Sequence, residues 1–323
     1  MSSSTSKNKL SGVVTTYKKG SQASTSAIAL NLIKKEFPDS IEYKGSADGS
    51  RGMVAFFGSL LLVGVGCADF MFIDGLIKRF SWFDFIVTFA ILAIGNTIAF
   101  FVFLKALRTE FFRPIDEPII FDRKNRKIYR ILSETKPGWR GLLASWPLKV
   151  VMHDWDLVKA EHHVAFNADG STLNRTHALV FSVQKSESDQ TIIDSFMLGN
   201  SIYHGEQTVP AVYEHVRRFM EEGGPRLPPG EMIRNIEKPA SFLQSMARSG
   251  PYGENFKKWW KNARFLTILW LFFFPITIPI FTLLGIFSWL SYSTSTSISW
   301  PAEVLTAIGP ELNESNNHDY SLN

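Results

Sequence analysis

The chain contains one cysteine, Cys67, and it lies inside a long apolar run. A single thiol cannot form a disulfide within the chain, and it excludes a zinc site built from several cysteines. The first 26 residues lack the apolar core that a secretory signal needs, and their Ser, Thr and Lys content predicts disorder. The net charge is only +4, so bulk charge gives no reason to expect a nucleic-acid partner.

Signatures of catalysis are also missing. The sequence has no H-E-x-x-H, no G-x-S-x-G and no Walker loop. The adjacent residues His162 and His163 would point to opposite faces of a strand, so they cannot easily share a metal ion. His153, with acidic neighbours, is equally weak evidence for a metal site. We therefore expect a protein that is not an enzyme and that holds no metal or cofactor.

Three long runs contain almost no charge: residues 53–76, 83–107 and 265–290. Each exceeds the roughly 20 residues that cross a hydrocarbon core, and none shows a polar face with helical period, so we predict three transmembrane helices. Pro275 and Pro279 interrupt the third run. They allow one kinked span or a hairpin that re-emerges on the same side. Because the run is too short for two full spans, we predict one span.

Lysine and arginine are concentrated on particular flanks of these runs, and cytoplasmic flanks are enriched in them. They are abundant before the first run, after the second and before the third, whereas residues 291–323 contain neither type. This pattern predicts a multi-pass protein of a bacterial inner membrane, with the N-terminus in the cytoplasm and the acidic tail 291–323 in the periplasm. The flanking cations are Lys34, Lys35, Lys44, Arg51, Lys105, Arg108, Arg113, Lys257, Lys258, Lys261 and Arg264.

Among the polar residues within the predicted spans, Asp69 in the first and Asn96 in the second are the functional candidates. An intramembrane carboxylate is a functional candidate, so a transport or channel role for Asp69 is one reading. The alternatives are that Asp69 pairs with Asn96 or lies near the headgroups. Asn96 is more typical of the polar residues that join membrane helices.

Residues 108–230 predict a cytoplasmic, antiparallel β-rich domain. Strand-like segments are followed by a helix over 209–222, where apolar residues recur at helical spacing until Gly223 and Gly224 end it. The fold class we predict is membrane α plus α+β: three transmembrane helices and a pleckstrin-homology-like β domain closed by its C-terminal helix. Residues 1–52 would be a largely disordered cytoplasmic segment.

A juxtamembrane segment, 231–264, would join this domain to the third run. It carries tryptophans beside lysines, a composition typical of an interfacial anchor. The predicted anchor consists of Lys257, Lys258, Trp259, Trp260 and Lys261.

The most basic feature of the domain is the turn in "IIFDRKNRKIYRI". Its cations could orient the domain on anionic headgroups or contact an acidic partner, since each nearby cation adds about 1 kcal/mol of attraction to an anionic surface. The alternative is a charged turn that is simply solvated. The predicted contact residues are Arg123, Lys124, Arg126 and Lys127.

Several motifs together resemble an uncharacterised family of proteobacterial membrane proteins associated with type VI secretion loci. They are "EPIIFDRKNRKIYRI", Trp155 in "HDWD", "YEHVRRFMEEGGPRLPP" and "SWPAEVLTAIG". The resemblance runs from the second apolar run to near the C-terminus. It implies a multi-pass inner-membrane protein and no catalytic residues.

The function that we expect is therefore non-enzymatic and linked to type VI secretion, either immunity against a delivered toxin or an accessory role. The partners would be the lipid bilayer and a secreted toxin or secretion component. The alternative is a membrane-anchored sensor or scaffold that binds lipid or protein, and a transport or channel subunit is a weaker alternative. Neither the oligomeric state nor the partner follows from the sequence.

Overall fold

The structure, a computed structural model, describes residues 11–45, 51–78, 81–134, 144–169, 172–199, 205–233, 241–247 and 254–312. Within these ranges the chain forms strands and α-helices in an order that places two long helices between the third and fourth strands. The strands are β1 Ser11–Tyr17, β2 Ile33–Glu36, β3 Ser40–Tyr43, β4 Ile119–Asp122, β5 Lys127–Ser133, β6 Leu148–Asp154, β7 Val158–Asp169, β8 Thr172–Gln184 and β9 Ile192–Met197. The helices are α1 Met53–Lys78, α2 Trp82–Glu110, α3 Thr208–Arg217, α4 Phe242–Ala247, α5 Glu254–Asn262, α6 Arg264–Ser293 and α7 Ala302–Ile308.

Three helices, α1, α2 and α6, are long and apolar enough to cross a membrane, as predicted. Their bounds extend the predicted runs by only a few residues. The helices α1 and α2 pack as a hairpin. At Gly58 the approach is so close that an added Cβ atom would lie 2.7 Å from the Ala106 Cβ, so a side chain there would force the helices apart.

The strands form two antiparallel sheets. One has the order β1-β7-β8-β9, and the other, here called sheet B, has the order β2-β3-β4-β5-β6. In sheet B, β3 pairs directly with β4, from Ser40 opposite Asp122 to Tyr43 opposite Ile119. The α1–α2 hairpin is therefore an insertion between two neighbouring strands of one sheet.

Two predictions about the N-terminal segment are wrong. Residues 11–45 are not disordered, because they contain three strands that belong to the two sheets. The β-rich unit is also not confined to 108–230, since it needs β1–β3 to complete both sheets. The predicted strands after residue 118 and the helix over 209–222 are confirmed, the helix as α3 followed by a π-helical turn, Arg218–Glu222.

The main hydrophobic core lies among the two sheets and α3. Sheet B contributes Tyr43 and Phe121 from its inner face, β8 contributes Phe181, and α3 contributes Tyr213. All four side chains are fully or almost fully buried, and edge or tilted ring contacts join Phe121 to Tyr43 and to Phe181. The alternation of inward and outward residues along β3 and β4 fixes which face of sheet B meets this core.

The outer face of sheet B is covered by the segment after α6. Val304 and Ile308 of α7 pack against Ile120 and Tyr129 of the sheet, and the Leu312 N–H donates to the Glu36 carbonyl at 2.9 Å. The predicted separation of residues 291–323 from the β-rich unit is therefore wrong for the described part of that tail, 291–312. The charge pattern misled because apolar residues at helical spacing, not charge, decide where this segment packs.

The helix α6 bends where its prolines lie. The rings of Trp270 and Phe281 have centroids 6.0 Å apart. Eleven residues rise about 16.5 Å along a straight helix, too far for the two side chains to bridge. Pro275 and Pro279 lie between them, and a proline removes a backbone hydrogen bond and bends a helix. The halves of α6 thus meet at these rings, which a single straight span would not allow.

Candidate functional site

A buried polar junction joins the ends of the three long helices to one another. The Arg51 guanidinium, 6% exposed, donates to the backbone carbonyls of Glu110, Arg113 and Pro114 and to the Ser291 Oγ, at 3.0–3.3 Å. It therefore joins the start of α1 to the end of α2 and the end of α6. These three helix ends lie next to Arg113 and Pro114, in the segment that leads into β4.

The Glu110 carboxylate completes this junction. It accepts the backbone N–H groups of Gly52 and Val54, each at 2.9 Å, so it caps the free donors at the start of α1 and lies at the positive end of that helix. Gly52 has φ +91°, and a Cβ there would meet the backbone of Ser288. A glycine is required by both the backbone conformation and the close approach of α6.

The predicted basic turn is held by its own side chains. The buried Asp122 carboxylate accepts from the Asn125 N–H at 3.1 Å and from the Asn125 amide at 2.7 Å, which closes the turn. Arg126 follows with φ +49°, a left-handed conformation. The turn is therefore a defined loop of sheet B.

Two of the four predicted contact residues are paired within the protein. Arg126 donates to Asp156, at 2.5 Å for the shortest pair, and to Glu221, at 3.2 Å. Arg123 donates to Asp39 at 2.8 Å and lies over the Phe219 ring. These pairs join the basic turn to the connection between β2 and β3 and to the π-helical turn after α3.

The carboxylates around Arg126 respond to it electrostatically. The pKa of Asp156 is lowered, first by its hydrogen bond to Arg126. Burial raises the pKa of Glu221, but hydrogen bonds from Trp155 and Arg126 outweigh burial and lower it overall. The turn thus carries less free positive charge than its sequence suggests. Lys124 is exposed and Lys127 is half-buried, so these two remain the predicted contact residues of the turn.

The predicted anchor residues lie on α5, which packs against the first half of α6. Trp259 contacts Trp270 edge-on, with centroids 6.1 Å apart, and Trp260 stacks on Phe256 at 6.1 Å. Both indoles are nearly half exposed. The lysines of the predicted set, Lys257, Lys258 and Lys261, are exposed on the same short helix.

The structure brings the two intramembrane polar residues together. The Asn96 Nδ2 donates to the Asp69 Oδ2 at 2.7 Å and to the Leu92 carbonyl at 2.9 Å. The pairing that we considered for Asp69 is therefore confirmed, and it links α1 to α2.

The histidines that were considered as metal ligands each contact one polar side chain. His162 contacts His177 at 2.9 Å, His163 contacts Glu161 at 2.9 Å, and His153 contacts Asp194 at 2.7 Å. Among the residues that the structure describes, no group of three metal-ligating side chains occurs. Burial, and then the neighbouring His177, lower the pKa of His162.

A cleft of about 590 Å³ lies between the β2–β3 side of sheet B and the segment after α6, and we call it the tail cleft. Its floor includes Phe37 and Glu42, and its other wall is formed by Trp300, Leu305 and Thr306. An ion pair between Lys35 and Glu311, 2.5 Å long, lies at the rim.

Two polar atoms in the walls of the tail cleft have no hydrogen-bond partner among the described residues. One is the Oε2 of Glu42, a residue only 1% exposed, and the other is the indole Nε1 of Trp300. This cleft was not predicted from the sequence. The spacing of Trp300, Val304 and Ile308, each four residues apart, was the signal that could have revealed an apolar helix face.

The comparisons with known proteins give a family but no activity. A model described as a family of unknown function, DUF6708, matches residues 96–307, about two thirds of the chain. The chain therefore belongs to this family. The match runs from the middle of α2 into α7 and leaves out β1–β3 and α1. No curated protein and no solved structure matches the chain.

Proposed function

We propose, for a chain whose family has no assigned function, that it is a membrane-anchored binding protein and not an enzyme. The observation that carries this proposal is the junction around Arg51. It joins the ends of three apolar helices beside the segment that leads into β4, so the β-rich unit is held close to the bilayer. A rigid mount of this kind suits a unit that presents a surface to a partner at the membrane.

The proposed topology has two spans, α1 and α2, and a re-entrant hairpin made by bending α6, a single helix, at its prolines. Three observations support it. The end of α6 lies at the junction, together with the start of α1 and the end of α2. The lysines of α5, just before α6, favour the cytoplasmic side. The bend at Pro275 and Pro279 lets both ends of α6 reach that side.

The proposed location is a bacterial inner membrane, with the β-rich unit and both described ends of the chain in the cytoplasm. The cation-rich flanks of α1 and α2 favour this orientation. The tail contains no lysine or arginine, yet its contacts with sheet B keep residues 294–312 with the unit.

The biological setting that we propose is type VI secretion, as immunity against a delivered toxin or as an accessory. It rests on the resemblance of the motifs alone. The pleckstrin-homology-like fold of the β-rich unit stays a prediction. A membrane-anchored sensor that binds lipid or protein is the alternative function. The transport reading is less favoured, because the Asp69 carboxylate accepts a hydrogen bond from Asn96 and so has a role in joining α1 to α2.

Affinity capture from native membranes in a mild detergent tests the proposal. We expect a protein partner in near-equal amount, identified by mass spectrometry. The double variant Lys124→Glu with Lys127→Glu should reduce capture, because it reverses the free charge of the basic turn. Lys185→Glu, an exposed lysine on another loop, is the matched control and should leave capture unchanged.

Recovery of the chain alone, or with lipid only, would contradict the partner-binding proposal and favour the lipid sensor. A partner that is captured equally by the Lys124 and Lys127 variant would keep the proposal but remove the turn from the contact surface.

A further inference from the structure

The charges beside the tail cleft do not balance. Glu42 and Asp116 are both buried, and Lys34 lies between them, with its Nζ 3.1 Å from the Glu42 Oε1 and 3.6 Å from the Asp116 Oδ2. One ammonium group thus faces two carboxylates. A buried carboxylate oxygen without a donor is costly, and a donor that reaches it from outside would be bound strongly.

The Glu42 Oε2 is the oxygen that lacks a donor. Lys34 reaches the other oxygen of this carboxylate. Lys35 also lines the cleft, but its Nζ is paired with Glu311 at the rim. Within the described part of the chain, no donor reaches the Oε2 atom. Glu42 lines the tail cleft, so a donor in the cleft approaches this residue from that side.

The walls decide what kind of donor fits. Phe37 and Leu305 make the cleft largely apolar, and the indole of Trp300 adds an aromatic surface. Apolar walls favour an aliphatic stem, and a cation over an aromatic face gains about 0.5–1 kcal/mol or more. A carboxylate at the inner end favours a positively charged donor, since charge-assisted hydrogen bonds are the strongest.

We propose that the tail cleft binds a primary ammonium group on an aliphatic stem, with Glu42 as its counter-ion. The inference deepens the proposed binding function and rests on it for one source of the group, a lysine side chain of the bound protein. A free polyamine is the other source with the same chemistry.

The test uses the full-length chain in nanodiscs of phosphatidylcholine, a lipid without a primary amine. Three probes are titrated and followed by calorimetry: Nα-acetyl-lysine methylamide, its norleucine counterpart and spermidine. We expect the lysine probe to bind and the norleucine probe, which has the same stem without the charge, to fail. Tighter binding of spermidine than of the lysine probe would assign the cleft to a free polyamine.

Two variants locate the binding. Glu42→Gln keeps the size of the side chain but removes its charge, so the affinity for the lysine probe should fall at least about tenfold. Thr306→Phe, on the exposed face of α7, should block the cleft without altering the carboxylate. Glu303→Gln, an exposed glutamate on the same helix, is the matched control and should bind as the wild type does.

The inference is overturned if neither amine binds, if the norleucine probe binds equally well, or if a folded Glu42→Gln variant keeps full affinity. If Glu42→Gln does not fold, unchanged binding by Thr306→Phe overturns it. Partner capture from native membranes is a separate measurement. Capture that survives Glu42→Gln would leave the binding function in place and remove only the cleft from it.

Discussion

Glu214 is a fully buried carboxylate that links α3 to the N-terminal segment. It accepts from the Ala23 N–H at 2.9 Å, from the Arg217 guanidinium at 2.7 Å and from Arg218 at 2.6 Å. Burial raises the pKa of Glu214, but the bonds from Arg217, Ala23 and Arg218 outweigh burial and lower the pKa to about 2. The folded state therefore favours the charged carboxylate.

This shift predicts how the stability of the protein depends on acid. Because the folded pKa lies below the ordinary value of 4.5, the contribution of Glu214 is complete above pH 4.5 and is lost as the pH falls towards about 2. The lost free energy of unfolding is about 3 kcal/mol. Thermal unfolding of the full chain in detergent, followed across this pH range, measures it.

The matched variants are Glu214→Gln and Glu187→Gln. Glu214→Gln should be less stable at neutral pH and should flatten the acid dependence, because the group that titrates is gone. Glu187 is exposed, so its variant should follow the wild type. An acid profile of Glu214→Gln that parallels the wild type would show that other carboxylates carry the effect.

Sequence reasoning found the charged residues of the turn but not their partners. Asp39 lies 84 residues before Arg123, and Glu221 lies 95 residues after Arg126. Such pairs depend on the fold that brings distant segments together, so residue type and local spacing cannot predict them. The tail-cleft residues Glu42 and Trp300 could not be predicted for the same reason.

At the scale of an element, α6 is the helix whose length and whose prolines favour different topologies. Its 30 residues suffice for one span, and its composition gives no other sign. The two prolines and the Trp270–Phe281 contact favour a hairpin with shorter arms. Irregular or bent helices at membrane depth are tolerated where their backbone groups are satisfied by neighbours.

Cysteine accessibility distinguishes the hairpin from a single span. In a Cys67→Ala background, Ser81→Cys lies between α1 and α2, and Glu303→Cys lies on the exposed face of α7. We expect an impermeant maleimide added to intact spheroplasts to label Ser81→Cys. Because the tail packs against the β-rich unit, Glu303→Cys should react only after lysis, as should Lys258→Cys on α5.

Labelling of Glu303→Cys in intact spheroplasts, with Lys258→Cys protected, would contradict the hairpin and restore the single span. Protection of Ser81→Cys would reverse the whole orientation.

The elements that could be predicted were those with strong local periodicity. The strands β4–β9 are rich in β-branched and other large apolar residues, and the apolar residues of α3 recur every three to four positions, so local pattern sufficed. The strands β2 and β3 are only four residues long and are completed by β4, across two membrane helices. The helix α7 was not predicted because residues 291–323 were interpreted from their charge alone.

At the scale of the whole molecule, the junction around Arg51 joins the ends of the three long apolar helices. We predict that Arg51→Met lowers the free energy of unfolding by about 3 kcal/mol, since it leaves buried carbonyl groups without donors. Arg51→Lys should fall between this variant and the wild type, because an ammonium group cannot reach all of the acceptors that the guanidinium does.

Thermal unfolding in detergent, together with limited proteolysis, measures the effect. Lys149→Met removes an exposed cation from β6 and is the control, which should change stability by less than about 1 kcal/mol. An Arg51→Met variant as stable as this control would show that the junction does not hold the three helix ends together.

The packing of α7 against the outer face of sheet B has a consequence for biosynthesis. Trp300 and α7 follow Tyr129 by roughly 170 residues. At a synthesis rate of about 5–20 residues per second, the ribosome needs roughly 10–30 s to add them. Throughout that interval Ile120 and Tyr129 face water on the nascent chain, while α6 has yet to enter the bilayer. A chaperone that binds apolar strands has its longest opportunity here, and the arrival of the last helix ends it.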